Sequence, residues 1–195
     1  MVDKRYLDAQ SLLEDSWRLG AMIQASGFKP DFICAIWRGG VPIGIALQSF
    51  LARFGTQSDH IAIRTASYEG IDDQKDRVQV FSMEYLIEQA HFEQSLLIVD
   101  DVFDTGRSIE AVIEHLKRRA RRNAPEDIRI AVPYYKPRRN QTDRAPDYYV
   151  HETDAWLKFP HSLEGLSRAE VELHRPSLAR ILETADGYDR ALRDG

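Results

Sequence analysis

Two adjacent aspartates, Asp100 and Asp101, follow a run of four apolar residues at positions 96–99. A short apolar run bounded by polar residues is typical of a buried central strand. Ligands bind outside the carboxyl ends of the strands in an open α/β sheet, so the sequence places two carboxylates at such an edge. Carboxylate oxygens at that edge can accept hydrogen bonds from hydroxyl groups or bind a metal ion.

A polar loop follows the two acids and precedes a predicted helix over residues 109–122. It combines one glycine with two hydroxyl side chains in the sequence Asp104, Thr105, Gly106, Arg107 and Ser108. Backbone N–H groups at the start of a helix attract phosphate, and hydroxyl groups add donors. Taken singly, a pair of adjacent acids more often lies in a solvated loop, and Thr105 or Ser108 could simply be the N-cap of a helix. The order of all these features along the chain favours a site for a sugar phosphate.

A second glycine turn follows another predicted strand at residues 32–37. It consists of Arg38, Gly39 and Gly40, and a helix is predicted over residues 41–54. Paired glycines let a backbone approach a ligand closely, while the helix start and Arg38 both attract anions. Alone, this pattern would favour an ordinary tight turn. Two such turns at parallel strand ends suit a ligand with two separate phosphate groups.

Residues 96–108 resemble the phosphoribosyl-pyrophosphate (PRPP) binding motif of the type I phosphoribosyltransferases. The resemblance implies that Asp100 and Asp101 meet the ribose hydroxyls and hold Mg²⁺, partly through PRPP and water. It implies that residues 104–108 hold the 5′-phosphate and that Asp104 acts on the purine as an acid or base. The turn at residues 38–40 is similar to the pyrophosphate loop of the xanthine-guanine enzymes, which often contains a non-proline cis peptide.

Ser67 and Tyr68 lie in a polar stretch, residues 66–77, that is predicted to be a long loop. In the purine enzymes of the family, Ser-Tyr occurs in the mobile loop that closes over the reaction centre. The resemblance therefore implies that these two residues belong to the flexible loop. A two-residue match is short, and a plain surface loop is the alternative.

The residues expected to bind the base follow a predicted strand over residues 128–135. Lys136 ends this strand, and Trp156 and Leu157 lie in a predicted Trp-containing loop. This region resembles xanthine-guanine and archaeal-type hypoxanthine-guanine phosphoribosyltransferases. The match implies that Lys136 donates to O6 of a purine, that Trp156 stacks on the ring, and that the Leu157 carbonyl accepts from the purine edge near position 2. A solvated lysine and a core tryptophan are the alternatives, and residues 158–161 depart from the family pattern.

Strand and helix candidates alternate along most of the chain, which predicts an α/β fold. Further strands are predicted near residues 60–64, 78–81 and 148–150, and further helices near residues 6–25 and after Pro176. The resemblance implies the type I phosphoribosyltransferase fold, with a central parallel sheet flanked by helices and a small cap (hood) subdomain. We expect a single domain over residues 1–195. Its core is expected at about residues 28–136, its hood at about 137–165 together with the N-terminal helix, and a C-terminal helix at about 166–195.

The chain has 195 residues, of which 43% are hydrophobic, and a net charge of −5. This composition suits one sizeable core and argues against a general nucleic-acid binder. The basic run at residues 117–122 ends a predicted helix, where cations complement the helix dipole; an RNA-binding patch is the alternative. The single cysteine, Cys34, excludes a disulfide framework and is expected to be an inert core thiol. Neither a signal peptide nor a membrane span is evident, so we expect a cytoplasmic protein with no membrane partner.

These observations predict an enzyme of purine salvage, a glycosyltransferase. It would transfer the 5-phosphoribosyl group from PRPP to a 6-oxopurine, namely hypoxanthine, guanine or xanthine, with Mg²⁺ as cofactor. The products would be the nucleoside 5′-monophosphate and pyrophosphate. Its partners would be PRPP and the purine base, and we expect a homodimer or tetramer. Two alternatives stay open: a regulatory protein with the same fold that binds PRPP as a signal, and a transferase for another base such as a pyrimidine.

Overall fold

A computed structural model of the chain describes residues 4–68 and 77–193. Contacts divide the chain into a larger unit, residues 9–155, and a smaller unit, residues 1–8 together with 156–195. The elements, in chain order, are β1 (Lys4–Tyr6), α1 (Ala9–Ser26), β2 (Phe32–Trp37), α2 (Gly40–Arg53), β3 (Asp59–Tyr68), β4 (Arg77–Phe81), α3 (Glu84–Gln89), β5 (Ser95–Val99), β6 (Val102–Phe103), α4 (Arg107–Ala120), β7 (Asp127–Tyr135), β8 (Tyr148–Glu152), β9 (Trp156–Lys158), α5 (Arg168–His174) and α6 (Pro176–Arg193).

The larger unit is built around a seven-stranded sheet in the order β4-β3-β2-β5-β7-β6, with β8 also paired to β7. All of these pairs are parallel except β3 with β4, which is antiparallel. The central strands β2 and β5 are continuous apolar runs and are buried, as expected for strands covered on both faces. The predicted α/β fold with a central, mostly parallel sheet and flanking helices is confirmed.

The strand order reverses between β2 and β5. From β2 the chain adds β3 and β4 on one side of the sheet, and then β5, β7 and β6 on the other. In sheets of this kind the crevice at the carboxyl ends of the strands on either side of such a switch point is the usual ligand site. The predicted pyrophosphate turn at residues 38–40 follows β2, and the two acids at residues 100 and 101 follow β5.

The core of the larger unit lies between the sheet and its helices. Cys34 in β2, Ile98 in β5 and Val112 in α4 are fully buried within it. Burial raises the pKa of the Cys34 thiol to about 12, which agrees with an inert core thiol. The helices α2 and α4 begin and end within two residues of their predicted bounds.

Three predictions of local structure were wrong. Residues 66–68 end β3 and Arg77 begins β4, rather than lying in a loop, because the two strands pair across an antiparallel ladder; residues 69–76 of the predicted loop lie outside the described residues. The first helix begins at Ala9 rather than near Tyr6, because Tyr6 pairs with Lys158 in β1 and β9. Trp156 begins β9 for the same reason and is not in a loop.

The smaller unit contains the two-stranded parallel sheet of β1 and β9 and the helices α5 and α6. The helix α5 begins with a capping box, in which the side chains of Ser167 and Glu170 each bond the backbone N–H of the other residue. The helix predicted after Pro176 is confirmed as α6, which begins at Pro176 itself. In residues 4–68 and 77–193, none of the helices has both the length and the hydrophobicity that crossing a membrane requires. The division into core, hood and C-terminal helix stays a prediction.

Candidate active site

The glycine turn after β2 packs directly against the strand end that carries the two acids. A Cβ atom on Gly39 would lie 2.1 Å from Asp101 Oδ2, and one on Gly40 would lie 2.2 Å from the Val99 carbonyl oxygen. The backbone of Gly39 is right-handed helical, with φ −64° and ψ −37°, which any residue adopts. Close approach therefore requires the glycine. The Trp37–Arg38 peptide bond just before the turn is cis.

The two acids form a partly buried, electrostatically costly pair. The Asp101 N–H donates to Asp100 Oδ1 at 3.0 Å. Burial, followed by the charge of Asp101, raises the pKa of the Asp100 carboxyl well above its usual range. Such a pair gains from a bound cation or from hydroxyl donors, which offset the negative charge.

The acid pair fits a metal ion that brings other ligands with it. Among residues 4–68 and 77–193, no group of three or more His, Cys, Asp and Glu side chains is arranged to hold a metal. An ion at Asp100 and Asp101 would need further oxygens from a ligand and from water. Mg²⁺ binds in that manner, because it dehydrates reluctantly and uses one or two carboxylates together with substrate phosphates.

The loop after β6 has the geometry of an anion site at a helix start. Gly106 is the N-cap of α4, with a left-handed φ of 79°, and no side chain caps the helix. The N-cap alternative for Thr105 and Ser108 is therefore wrong. A Cβ atom on Gly106 would lie 2.6 Å from Thr142 Oγ1, and the Gln141 N–H donates to the Thr105 carbonyl at 3.0 Å. Residues 141 and 142 thus pack against this loop, and the start of α4 favours an anion.

Asp104 lies between two cations. The pairing of β6 with β7 places Asp104 beside Lys136, and the Lys136 Nζ donates to Asp104 Oδ2 at 3.2 Å. The Arg139 Nε lies 2.6 Å from Asp104 Oδ1, as an ion pair that is not aligned as a hydrogen bond. Lys136 is only 3% exposed, so the alternative of a solvated lysine is wrong. An ammonium group has three donors and no acceptor.

Sequence reasoning missed Arg139 and the turn that follows it. Asn140 Oδ1 accepts from the N–H and the hydroxyl of Thr142, and its amide nitrogen donates to the Arg144 carbonyl. This turn supplies the Thr142 hydroxyl that contacts Gly106. The available signal was the position of Arg139 three residues after Lys136. Basic residues past a strand end are usually solvated, however, and this signal is weak.

The other predicted site residues lie in strands. Ser67 and Tyr68 are the last residues of β3, where they pair with Val78 and Arg77. In the smaller unit, Trp156 and Leu157 pair with Lys4 and Arg5 across β9 and β1. The Trp156 side chain is 47% exposed. The structure thus brings residues 38–40 to the acid pair, and Lys136 to Asp104.

An acid pair, a glycine turn and a helix start at the switch point of a parallel sheet define a site for a phosphorylated ligand. The family described as "Phosphoribosyl transferase domain" matches residues 4–168, and the chain belongs to this family. Its members bind PRPP and a base. The predicted family, the type I phosphoribosyltransferase fold and the prediction of a glycosyltransferase enzyme are confirmed.

Solved structures share the fold over most of the chain. A purine phosphoribosyltransferase from Pyrococcus horikoshii Ot3 is 27% identical, with a TM-score of 0.68 over 85% of this chain and 97% of that chain. A hypothetical protein from Neisseria gonorrhoeae with bound ppGpp is 20% identical, with a TM-score of 0.69 over 93% and 98% of the two chains. A xanthine-guanine-hypoxanthine phosphoribosyltransferase from Helicobacter pylori is 19% identical, with a TM-score of 0.60 over 80% and 92%. The curated proteins contain no match to the chain.

Proposed function

We propose that the protein transfers the 5-phosphoribosyl group of PRPP to a 6-oxopurine in purine salvage. Buried Lys136, whose ammonium lies 3.2 Å from Asp104, is the observation that carries the choice of base. An ammonium has donors only, so it matches the carbonyl oxygen of hypoxanthine, guanine or xanthine and mismatches the amino group of adenine. The similarity to a purine phosphoribosyltransferase at 27% identity supports a purine as well.

PRPP would bind across the switch point of the sheet. Asp100 and Asp101 would accept hydrogen bonds from the ribose hydroxyls, and residues 104–108 would hold the 5′-phosphate at the start of α4. Arg38, Gly39 and Gly40 would hold the pyrophosphate. The close approach of the glycine turn to Asp101 and Val99 supports this arrangement, because it places the proposed pyrophosphate turn next to the acids proposed to bind the ribose.

Mg²⁺ is the proposed cofactor, held by Asp100 and Asp101 partly through PRPP and water. The raised pKa of Asp100 supports a cation here, because the folded protein otherwise carries the cost of two adjacent carboxyl groups. When bound, the ion would offset the negative charge of the pyrophosphate that leaves.

In the proposed reaction, a ring nitrogen of the base forms a bond to C1′ while the C1′–oxygen bond to pyrophosphate breaks, and pyrophosphate leaves with the electron pair. Asp104 accepts the proton that the ring nitrogen gives up. Lys136 donates to O6, Trp156 stacks on the ring, and the Leu157 carbonyl accepts from the purine edge. The protein contributes placement and charge stabilisation, and no covalent intermediate is required.

Water must be kept from a cationic sugar centre, because hydrolysis of PRPP competes with transfer. Ser67 and Tyr68 are proposed to belong to the segment that covers the centre during the reaction. We also propose that residues 1–195 act as one catalytic domain, which works in the cytoplasm as a homodimer or tetramer. Light scattering on the purified protein tests the assembly.

A turnover assay tests the proposed function. Hypoxanthine, guanine, xanthine, adenine and uracil are each incubated with PRPP and Mg²⁺, and both pyrophosphate and nucleotide are measured. We expect products with one or more oxopurines and little with adenine. Binding of PRPP without turnover of any base would favour the regulatory alternative, and turnover of uracil would favour a transferase for another base.

A further inference from the structure

Arg175, which joins α5 to α6, holds the segment that follows β9 through its backbone carbonyl groups. The guanidinium donates to the carbonyls of Phe159 at 2.5 Å and Ser162 at 2.9 Å. Longer bonds reach the carbonyls of Pro160 at 3.4 Å and Lys158 at 3.5 Å. One planar cation thus gathers four carbonyl groups, which a guanidinium can do because it has five donors in a fixed geometry.

Lys158, at the start of the same segment, bonds backbone carbonyl groups at its end. This lysine is 8% exposed, and its ammonium donates to the carbonyls of Glu164 at 3.1 Å and Gly165 at 3.3 Å. Its own carbonyl accepts from the Leu7 N–H at 3.0 Å. Residues 158–165 therefore form a loop whose carbonyl groups are bonded by two buried or half-buried cations.

The strand β1 ties β9 to the helix α5. Lys4 Nζ and the Tyr6 hydroxyl both donate to Glu170 Oε1, at 2.6 and 2.5 Å. These bonds hold the pKa of Glu170 well below its usual range. The Tyr6 ring also stacks on His174, with ring centroids 3.7 Å apart. The three-residue strand β9 is thus supported by β1 along one edge and by Arg175 at its end.

We infer that Arg175 is a positioning residue for base recognition, acting through the backbone that carries Trp156 and Leu157. This inference rests on the proposed function, which assigns those two residues to the base. A carbonyl acceptor on a short strand cannot select a purine edge unless its position is fixed, and misplacement by about 1 Å can cost as much as 100-fold in rate. Arg175 lies beyond the residues that the family match covers, at 4–168.

The test compares Arg175→Met and Arg175→Lys with Arg180→Met. Arg180 is an exposed arginine on the same helix pair and serves as the matched control. The KM for the base is measured at saturating PRPP, and the KM for PRPP at a saturating concentration of the same base. Arg175→Met should raise the KM for the base by about tenfold or more and leave the KM for PRPP close to that of the wild type. Arg175→Lys should recover part of the loss, and Arg180→Met should behave as the wild type.

Hydrogen exchange of the backbone amides at residues 157–159, 161 and 162 separates failure of this inference from failure of the proposed function. If the wild type turns over a purine and Arg175→Met changes neither KM, or both in proportion, the inference is overturned. If the wild type turns over no base, the proposed function fails, and hydrogen exchange then tests whether Arg175 fixes the backbone after β9. Faster exchange in Arg175→Met but not in Arg180→Met supports that positioning role, and unchanged exchange in Arg175→Met overturns it. Should Arg175→Met not fold, a wild-type KM for the base in Arg175→Lys overturns the inference.

Discussion

Replacing Gly40 by alanine should disable PRPP binding without unfolding the protein. The added Cβ would lie 2.2 Å from the Val99 carbonyl oxygen, whereas ordinary contact begins at 3.4 Å, so the two groups must move apart by about 1.2 Å. The obstacle is backbone at the end of the central strand β5, which cannot rotate away. The turn at residues 38–40 and the acids after β5 must therefore separate. Misplacement of a binding group by about 1 Å can cost roughly 100-fold, and we expect kcat/KM for PRPP to fall by about that factor, or about 2.8 kcal/mol.

The assay measures pyrophosphate release over a range of PRPP concentrations, with circular dichroism and thermal unfolding to show that the variant is folded. Gly44→Ala is the matched control, because it makes the same chemical change one turn further along α2. Its Cβ would lie 3.2 Å from the Ala35 side chain, which needs to yield by only a few tenths of an ångström. Folded Gly40→Ala with wild-type kcat/KM for PRPP would refute the reasoning, and so would an equal loss in Gly44→Ala.

Three further changes probe the remaining groups. Asp104→Asn should lower kcat by about 10²–10⁴-fold, the usual contribution of a general acid or base, while PRPP affinity measured by calorimetry changes little; collapse of both would make Asp104 structural. Lys136→Met should lose oxopurine turnover and flatten the preference over adenine, whereas Lys117→Met, an exposed lysine on α4, should not; an unchanged ratio of hypoxanthine to adenine turnover would contradict the role of Lys136. Asp100→Asn should weaken PRPP binding by about tenfold or more, because a charged acceptor is lost. It should also raise the Tm at pH 7, because the raised pKa of Asp100 means that the wild-type fold loses stability as pH rises from the unfolded value of about 3.9 to the higher pKa of the folded state. The gain in Tm should shrink as pH falls from the folded-state pKa towards the unfolded value, and an equal gain at all pH values would count against the electrostatic cause.

The central strands and the site at their ends could be predicted because their signals are local. The apolar run at residues 96–99 and the acids that follow it lie together in the sequence, and burial of the run fixes where the acids emerge. The position of the glycine turn at residues 38–40, between β2 and α2, could be predicted for the same reason. That Gly39 packs on Asp101 could not, since this contact depends on the pairing of β2 with β5.

The errors fall where a distant segment decides the local structure. Residues 66–68 are polar enough to suit a loop, but an antiparallel partner strand satisfies their backbone groups. Trp156 carries no strand pattern of its own, and its strand exists because residues 4–6 pair with it. The contact of Arg139 with Asp104 likewise joins residues that only the fold brings together. Short edge strands and ion pairs between distant residues leave little periodic signal in a sequence.

Lys136 connects the two parts of the proposed chemistry, base recognition and proton transfer. Its ammonium bonds Asp104, and in the proposed function the same group donates to the base. A purine with a 6-oxo group would therefore be held by the same cation that orients the proton acceptor. The amino group of adenine is itself a donor, so it would offer that ammonium no acceptor. In this arrangement the same buried ammonium selects an oxopurine and positions Asp104. A change at Lys136 should therefore alter kcat as well as the KM for the base. Arg139 lies 2.6 Å from the other carboxylate oxygen of Asp104 and would help to keep that carboxylate in place while Lys136 binds the base.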